Sequence, residues 1–188
     1  MKKTVLFLLL FASINLFAQG KIIKFGPSGL FNGGNGLVIN YGLEFGGERQ
    51  FSERWSWGAN LSYFKSAKYK TSKFVSTSPT SFFFTFKEIT MADELFGIEP
   101  YIRRYGTSFE DGSFWGLGLN FSSLTLRNYT EVFGDTKNTE RLFSVAFGNR
   151  TKMTERIYCD QLFTLGIGGD SNIYPVSFKL SCLFGLKR

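Results

Sequence analysis

The sequence predicts an all-β chain: an eight-stranded antiparallel up-and-down barrel with its large side chains on the outside. Three observations predict it. Eight segments alternate large apolar residues with small or polar ones. The small face is rich in Gly, Ser and Asn, and it also carries charge. The connections between segments alternate between short and long.

The first segment is read as an address. Lys2 and Lys3 precede an apolar run that is unbroken from Val5 to Phe11 and continues to Phe17 with Ser13 and Asn15 interrupting, and Ala18 is a small residue placed for cleavage. The run is shorter than the roughly 20 residues that span a bilayer as a helix. Residues 1–18 are therefore expected to be a cleaved signal peptide, and residues 19–188 the barrel domain. Cleavage removes two lysines from a chain with formal charge +7.

The alternating segments follow in order. Ile22–Phe31 sets Ile23, Phe25 and Phe31 against Lys24, Gly26 and Ser28. Leu37–Phe45 sets Leu37, Ile39, Tyr41, Leu43 and Phe45 against Asn40, Gly42 and Glu44, with Glu48 further along the same face. Trp55–Tyr63 sets Trp55, Trp57, Leu61 and Tyr63 against Ser56, Gly58 and Asn60. Leu95–Tyr105 sets Phe96, Ile98 and Ile102 against Gly97, Glu99, Tyr101 and Arg103. Ser113–Phe121 sets Trp115, Leu117 and Leu119 against Gly116, Gly118 and Asn120. Leu142–Asn149 sets Phe143, Val145 and Phe147 against Ser144, Ala146 and Gly148. Ile157–Gly168 sets Ile157, Cys159 and Phe163 against Asp160, Thr164 and Gly166. Val176–Leu186 sets Phe178, Leu180, Cys182 and Phe184 against Ser177, Lys179 and Ser181.

A soluble sandwich also alternates, with its large residues inside. So many glycines on a water-facing strand surface would weaken the sheet. In a narrow closed barrel the same face lines a crowded lumen, and the large face meets lipid. The fold class is thus a transmembrane β-barrel. The connections 50–54, 106–112 and 150–156 are short. Those at 32–36, 65–94, 124–141 and 169–173 include two long ones, which places both termini on the short-turn side. Phe51, Trp55, Trp57, Tyr105, Phe114, Trp115, Phe147, Tyr158 and Phe184 lie near the short turns and are expected to form an interfacial girdle.

These patterns resemble the small outer-membrane barrels of Gram-negative bacteria, the OmpA- and OmpW-like families. The resemblance rests on Tyr41–Phe45, on Trp55–Tyr63, on Gly97-Ile-Glu-Pro-Tyr-Ile-Arg-Arg-Tyr105 and on Trp115–Leu119, and it covers about residues 21–188. Such barrels usually end on an aromatic residue, whereas this chain ends Phe184-Gly-Leu-Lys-Arg188. The resemblance implies the cell outer membrane as location. It implies outer-membrane lipids, lipopolysaccharide and the barrel assembly machinery as partners, and a monomer.

Histidine is absent, which removes histidine-based triads, bases and metal ligands. Lipid A deacylase barrels depend on a His–Ser pair that this chain lacks. No catalytic site, cofactor or metal is expected. Nucleic-acid binding is not expected of an exported chain with scattered basic residues. Gly33–Gly36 reads as a tight turn, since no Lys-Ser/Thr follows to make a phosphate loop.

The candidate site is a lumen charge network of Glu44, Glu99, Arg103, Asp160 and Lys179, read as a structural plug. Glu99 and Arg103 share a face, Asp160 and Lys179 lie on adjacent strands, and Tyr101 and Tyr105 should help to block the bore. Cys159 and Cys182 form a possible disulfide on the outer face, closing a loop of about 22 residues worth roughly 3 kcal/mol. Segment 65–94 carries Lys65, Lys68, Lys70 and Lys73, then Phe82-Phe-Phe-Thr-Phe86, and reads as a solvated loop with a strand extension. The function read from this is a structural or surface-interaction barrel. The alternative is a small conduit or binding barrel for a hydrophobic molecule or lipid.

Overall fold

The computed structural model describes residues 21–33, 37–76, 84–128, 136–168 and 176–187. The expected signal segment 1–18 and residues 34–36 of the expected tight turn lie outside them. The described residues contain no helix and form nine strands. These are β1 (Lys21–Gly33), β2 (Leu37–Gln50), β3 (Trp55–Ser66), β4 (Tyr69–Ser76), β5 (Phe84–Tyr105), β6 (Gly112–Asn128), β7 (Thr136–Lys152), β8 (Ile157–Ile167) and β9 (Val176–Lys187).

Eight of the strands close into a ring. Antiparallel pairing runs from β1 through β2, β3, β5, β6, β7, β8 and β9, and then back to β1. Closure leaves no edge inside the bilayer, where an unpaired peptide group finds no water to bond. Among the described residues β4 pairs with β5, beyond the end of β3. The ladder lapses in two places, and each holds a proline. Residues 26–27 of β1 have no partner on β9, and residues 99–100 of β5 have none on β6. Pro27 and Pro100 lack the N–H that a ladder needs on that side.

Burial follows the alternation, with the sense of a membrane barrel. Lys24, Glu44, Glu99, Arg103, Asp160 and Lys179 are buried, while Phe25, Tyr41, Leu43, Ile102, Leu119, Phe163 and Leu180 are exposed. Ion-lined inside and apolar outside is a stable arrangement when the outer solvent is hydrocarbon. The small lumen residues make room for large ones. A Cβ on Gly116 would stand 2.9 Å from Cγ of Arg103 and 2.7 Å from the Ile102 carbonyl oxygen.

Two expectations need correction. Tyr105, Phe114 and Tyr158 are buried and do not belong to an interfacial girdle. Each sits on the lumen side of its strand: Tyr105 has the parity of Arg103, Phe114 that of Gly116, and Tyr158 that of Asp160. With Ile22, Phe109 and Leu162 they form an apolar cluster at the short-turn end of the bore. Phe51, Trp57, Trp115, Phe147 and Phe184 do face outward.

The long connections at 65–94 and 124–141 are mostly strand. β5 has 22 residues, and β6 and β7 have 17 each, against about 9–11 needed to span. The surplus joins β4 in a four-stranded sheet that rises above the rim. Above the bilayer the outer face no longer needs to be apolar, so the alternation fades while the pairing continues. A second apolar cluster, Leu30, Phe64, Met91, Leu95, Leu124 and Leu126, fills the bore toward that rim.

The inside-out burial makes a direct prediction. Leu180→Arg on the lipid-facing side of β9 is expected to cost about 2–4 kcal/mol in vesicle-folded protein. Glu155→Gln in the exposed turn after β7 is expected to stay within about 0.5 kcal/mol. Urea titration with heat-modifiable gel mobility as the readout checks both, and equal tolerance would reverse the assignment of inside and outside.

Candidate functional site

The lumen charges form two clusters rather than one chain of pairs. In the lower cluster Glu48 gathers most of the donors. It accepts from Ser56 Oγ at 2.5 Å, Arg150 Nη2 at 2.9 Å and Arg103 Nη1 at 3.1 Å, and also from Lys24 Nζ and the Tyr105 hydroxyl. Asp160 lies beside it. Arg150 grips both of its carboxylate oxygens, through Nε at 2.6 Å and Nη2 at 2.8 Å. Lys24 Nζ at 2.9 Å and Arg103 Nη1 at 3.2 Å complete the set. A bidentate guanidinium–carboxylate pair fixes orientation as well as charge.

The cations also lie on aromatic faces. The Arg103 guanidinium sits 4.2 Å from the Tyr101 ring and 4.6 Å from the Phe114 ring. That of Arg150 sits 4.8 Å from Phe109 and 4.9 Å from Tyr105. Such stacking favours a desolvated cation.

The upper cluster is smaller. Lys179 Nζ contacts Glu99 Oε2 at 2.5 Å and Glu44 Oε1 at 2.7 Å, and Ser144 Oγ donates to Glu99 Oε1 at 2.6 Å. The five residues named from sequence are therefore all in the lumen but are divided between clusters: Glu44, Glu99 and Lys179 above, Arg103 and Asp160 below. Asp160 and Lys179 lie on paired strands yet register with Leu183 and Thr164, so they do not meet. Glu99 and Arg103 share a face and serve different clusters.

Four participants lie outside the residues named for the site. Lys24 and Glu48 were visible as small-face residues of the first two segments. Arg150 fell one residue beyond an assumed strand end, although it continues the parity of Ser144, Ala146 and Gly148. Phe109 had no period-two signal, because it lies in the turn 106–111.

That turn folds into the lower mouth. Phe109 is buried, and its carbonyl accepts from Arg150 Nη1 at 2.8 Å. Its ring meets Tyr105 edge-on at 5.3 Å. Gly106 N–H donates to Ser113 O, Asp111 N–H donates to Ser108 Oγ, and Thr107 Oγ1 donates to Asp111 O. Gly112 ends the turn at φ +115°, a backbone that favours glycine. Outside the plug, Glu110 bridges Lys152 at 3.1 Å and Lys187. Hydrogen bonds from Lys187 and Lys152 hold its carboxyl below the usual carboxylate range.

On the outer face, the Sγ atoms of Cys159 and Cys182 stand 3.7 Å apart. Among the described residues no group of three or more acidic or cysteine side chains is arranged to hold a metal ion.

The sequence matches no protein-family model and no curated protein. Among solved structures the chain is similar to neisserial surface protein A, with TM-score 0.64 and 11% identity over 89% of this chain and 97% of that one. It is similar to Ail, the attachment invasion locus protein of Yersinia pestis, solved with the heparin analogue sucrose octasulfate. There the TM-score is 0.59 and the identity 9%, over 91% of this chain and 100% of that one. The N-terminal β-barrel domain of Pseudomonas aeruginosa OprF gives 0.51 and 9%, over 90% and 100%. At such identities the likeness establishes the fold. The fold and the filled lumen define the class, an eight-stranded β-barrel of the outer-membrane type.

Two predictions follow from this geometry. Arg150→Ala leaves Glu48 and Asp160 short of a buried cation, and is expected to cost about 3–5 kcal/mol in urea unfolding from vesicles. Glu110 has its carboxyl lowered on folding, so its contribution is present at neutral pH and is lost as pH falls through its folded value. After correction for the intrinsic pH dependence of exchange, protection of the Gly106 amide, which bonds Ser113 O, should fall on acidification in the wild type, whereas Glu110→Gln should show the lower protection at both pH values.

Proposed function

We propose that the protein is an integral outer-membrane barrel that works as a surface-interaction protein, with a sealed lumen as its rigid core. The observation that carries this reading is the filled bore. Arg103, Arg150, Tyr105 and Phe109 are buried side by side across the lower lumen. The conduit alternative needs a passage through these groups, and the reading assigns no catalytic step to them.

The surface role falls to the sheet above the rim. Among the described residues β4 pairs with β5, and the pairing of β7 with β8 begins at Phe143. Strand edges of this kind accept an extended partner segment through main-chain hydrogen bonds. Lys65, Arg127, Lys137 and Arg141 lie on the outward side near this sheet. Ail was solved with a heparin analogue, which makes a heparin-like sulfated sugar a rational first probe. Lipopolysaccharide phosphates at the basic rim, outer-membrane lipids and the barrel assembly machinery are the partners this reading takes.

The test is made on the folded chain in bilayers. Planar-bilayer recording is expected to show no unitary conductance, and regular single-channel steps would favour the conduit. Proteoliposomes are expected to bind immobilised heparin in a salt-sensitive way, with binding reduced several-fold by Lys137→Glu with Arg141→Glu. Salt-insensitive binding, or binding indifferent to that double substitution, would remove the sulfated sugar from the reading.

A further inference from the structure

The ladder that closes the barrel between its first and last strands is interrupted once. Pairing of β1 with β9 runs from Ile22↔Lys187 to Phe25↔Phe184, stops, and resumes at Ser28↔Ser181. The missing step is at Gly26 and Pro27, facing residues 182–183 of β9. On that stretch β9 is held mainly from its other side, where Gln161 of β8 registers with Cys182. Cys159 lies two residues back on β8, on the same outward face. It is a diagonal neighbour of Cys182, and their sulfurs are already in contact at 3.7 Å.

We propose that Cys159 and Cys182 form an intramolecular disulfide that ties β9 to β8 at the level where Pro27 interrupts its bond to β1. Bond formation closes the sulfurs from 3.7 Å to about 2.05 Å, which draws the two side chains and their strands together. The bond joins residues 23 apart in sequence, so it also restricts the chain before the barrel closes. Two S–H bonds break and one S–S bond forms. The two electrons and two protons pass to the disulfide of a thiol–disulfide exchange protein, which is left as a dithiol. An extracytoplasmic compartment supplies such an oxidant. The exchange takes place before insertion, because both sulfurs face lipid afterwards.

The test uses the full chain extracted from outer membranes, denatured and treated with a polyethylene glycol maleimide. The expected result is no adduct without reductant and two adducts after reduction. Two adducts without reductant overturn the proposal. A reductant-sensitive dimer also overturns it, because the bond then joins two copies. A second measurement tests the seam itself. Reduced wild type, Cys159→Ala and Cys182→Ala, each folded in the same vesicles, are expected to unfold about 5–10 °C below the oxidised protein. Equal unfolding temperatures overturn the stapling role.

Discussion

Closure of the backbone ladder in a solvent without hydrogen-bonding capacity is the constraint from which the rest of this structure follows. Each spanning strand must be paired on both sides, so β9 returns to β1 and β3 reaches β5 past the shorter β4. Eight strands enclose a bore just wide enough for side chains. That width explains why glycine recurs opposite the large lumen residues, as Gly58 does beneath Tyr101 and Gly148 beside Phe114. Pairing lapses at the two prolines because each lacks the N–H that the ladder needs there.

A narrow bore turns charge balance into a structural requirement. The lower cluster holds the cations Lys24, Arg103 and Arg150 against Glu48 and Asp160, while the upper holds Lys179 against Glu44 and Glu99. Neither balances alone, but together four cations meet four carboxylates. The two clusters therefore behave as one electrostatic unit running up the lumen. Removing one member exposes the others to an uncompensated buried charge. Apolar layers at both ends, with Phe109 folded in below, keep that unit out of water.

Much of this was legible in the residues. Period-two alternation with a small, charged face identified the barrel, its inside-out sense and the five lumen charges Glu44, Glu99, Arg103, Asp160 and Lys179. Parity is a local property, set by the pleat, so each strand declares its own faces. The upper hairpin was harder to read, because outside the bilayer neither face is forced to be apolar and the pattern weakens while the strands continue. Tyr105, Phe114 and Tyr158 lie near the short turns, yet parity and not closeness to a turn decides their side, and it places them in the lumen.

The sequence by itself determined which residues face the lumen and which face lipid, because alternation along a single strand decides it. Only the tertiary structure decided who meets whom. Barrel stagger brings Lys24 of β1, Glu48 of β2, Arg103 of β5, Arg150 of β7 and Asp160 of β8 to one level, and it separates Asp160 from Lys179 on paired strands. It also carries Phe109 into the mouth and brings Cys159 against Cys182 beside the Pro27 gap. These are relations between strands, fixed by register and closure, and no single segment contains them.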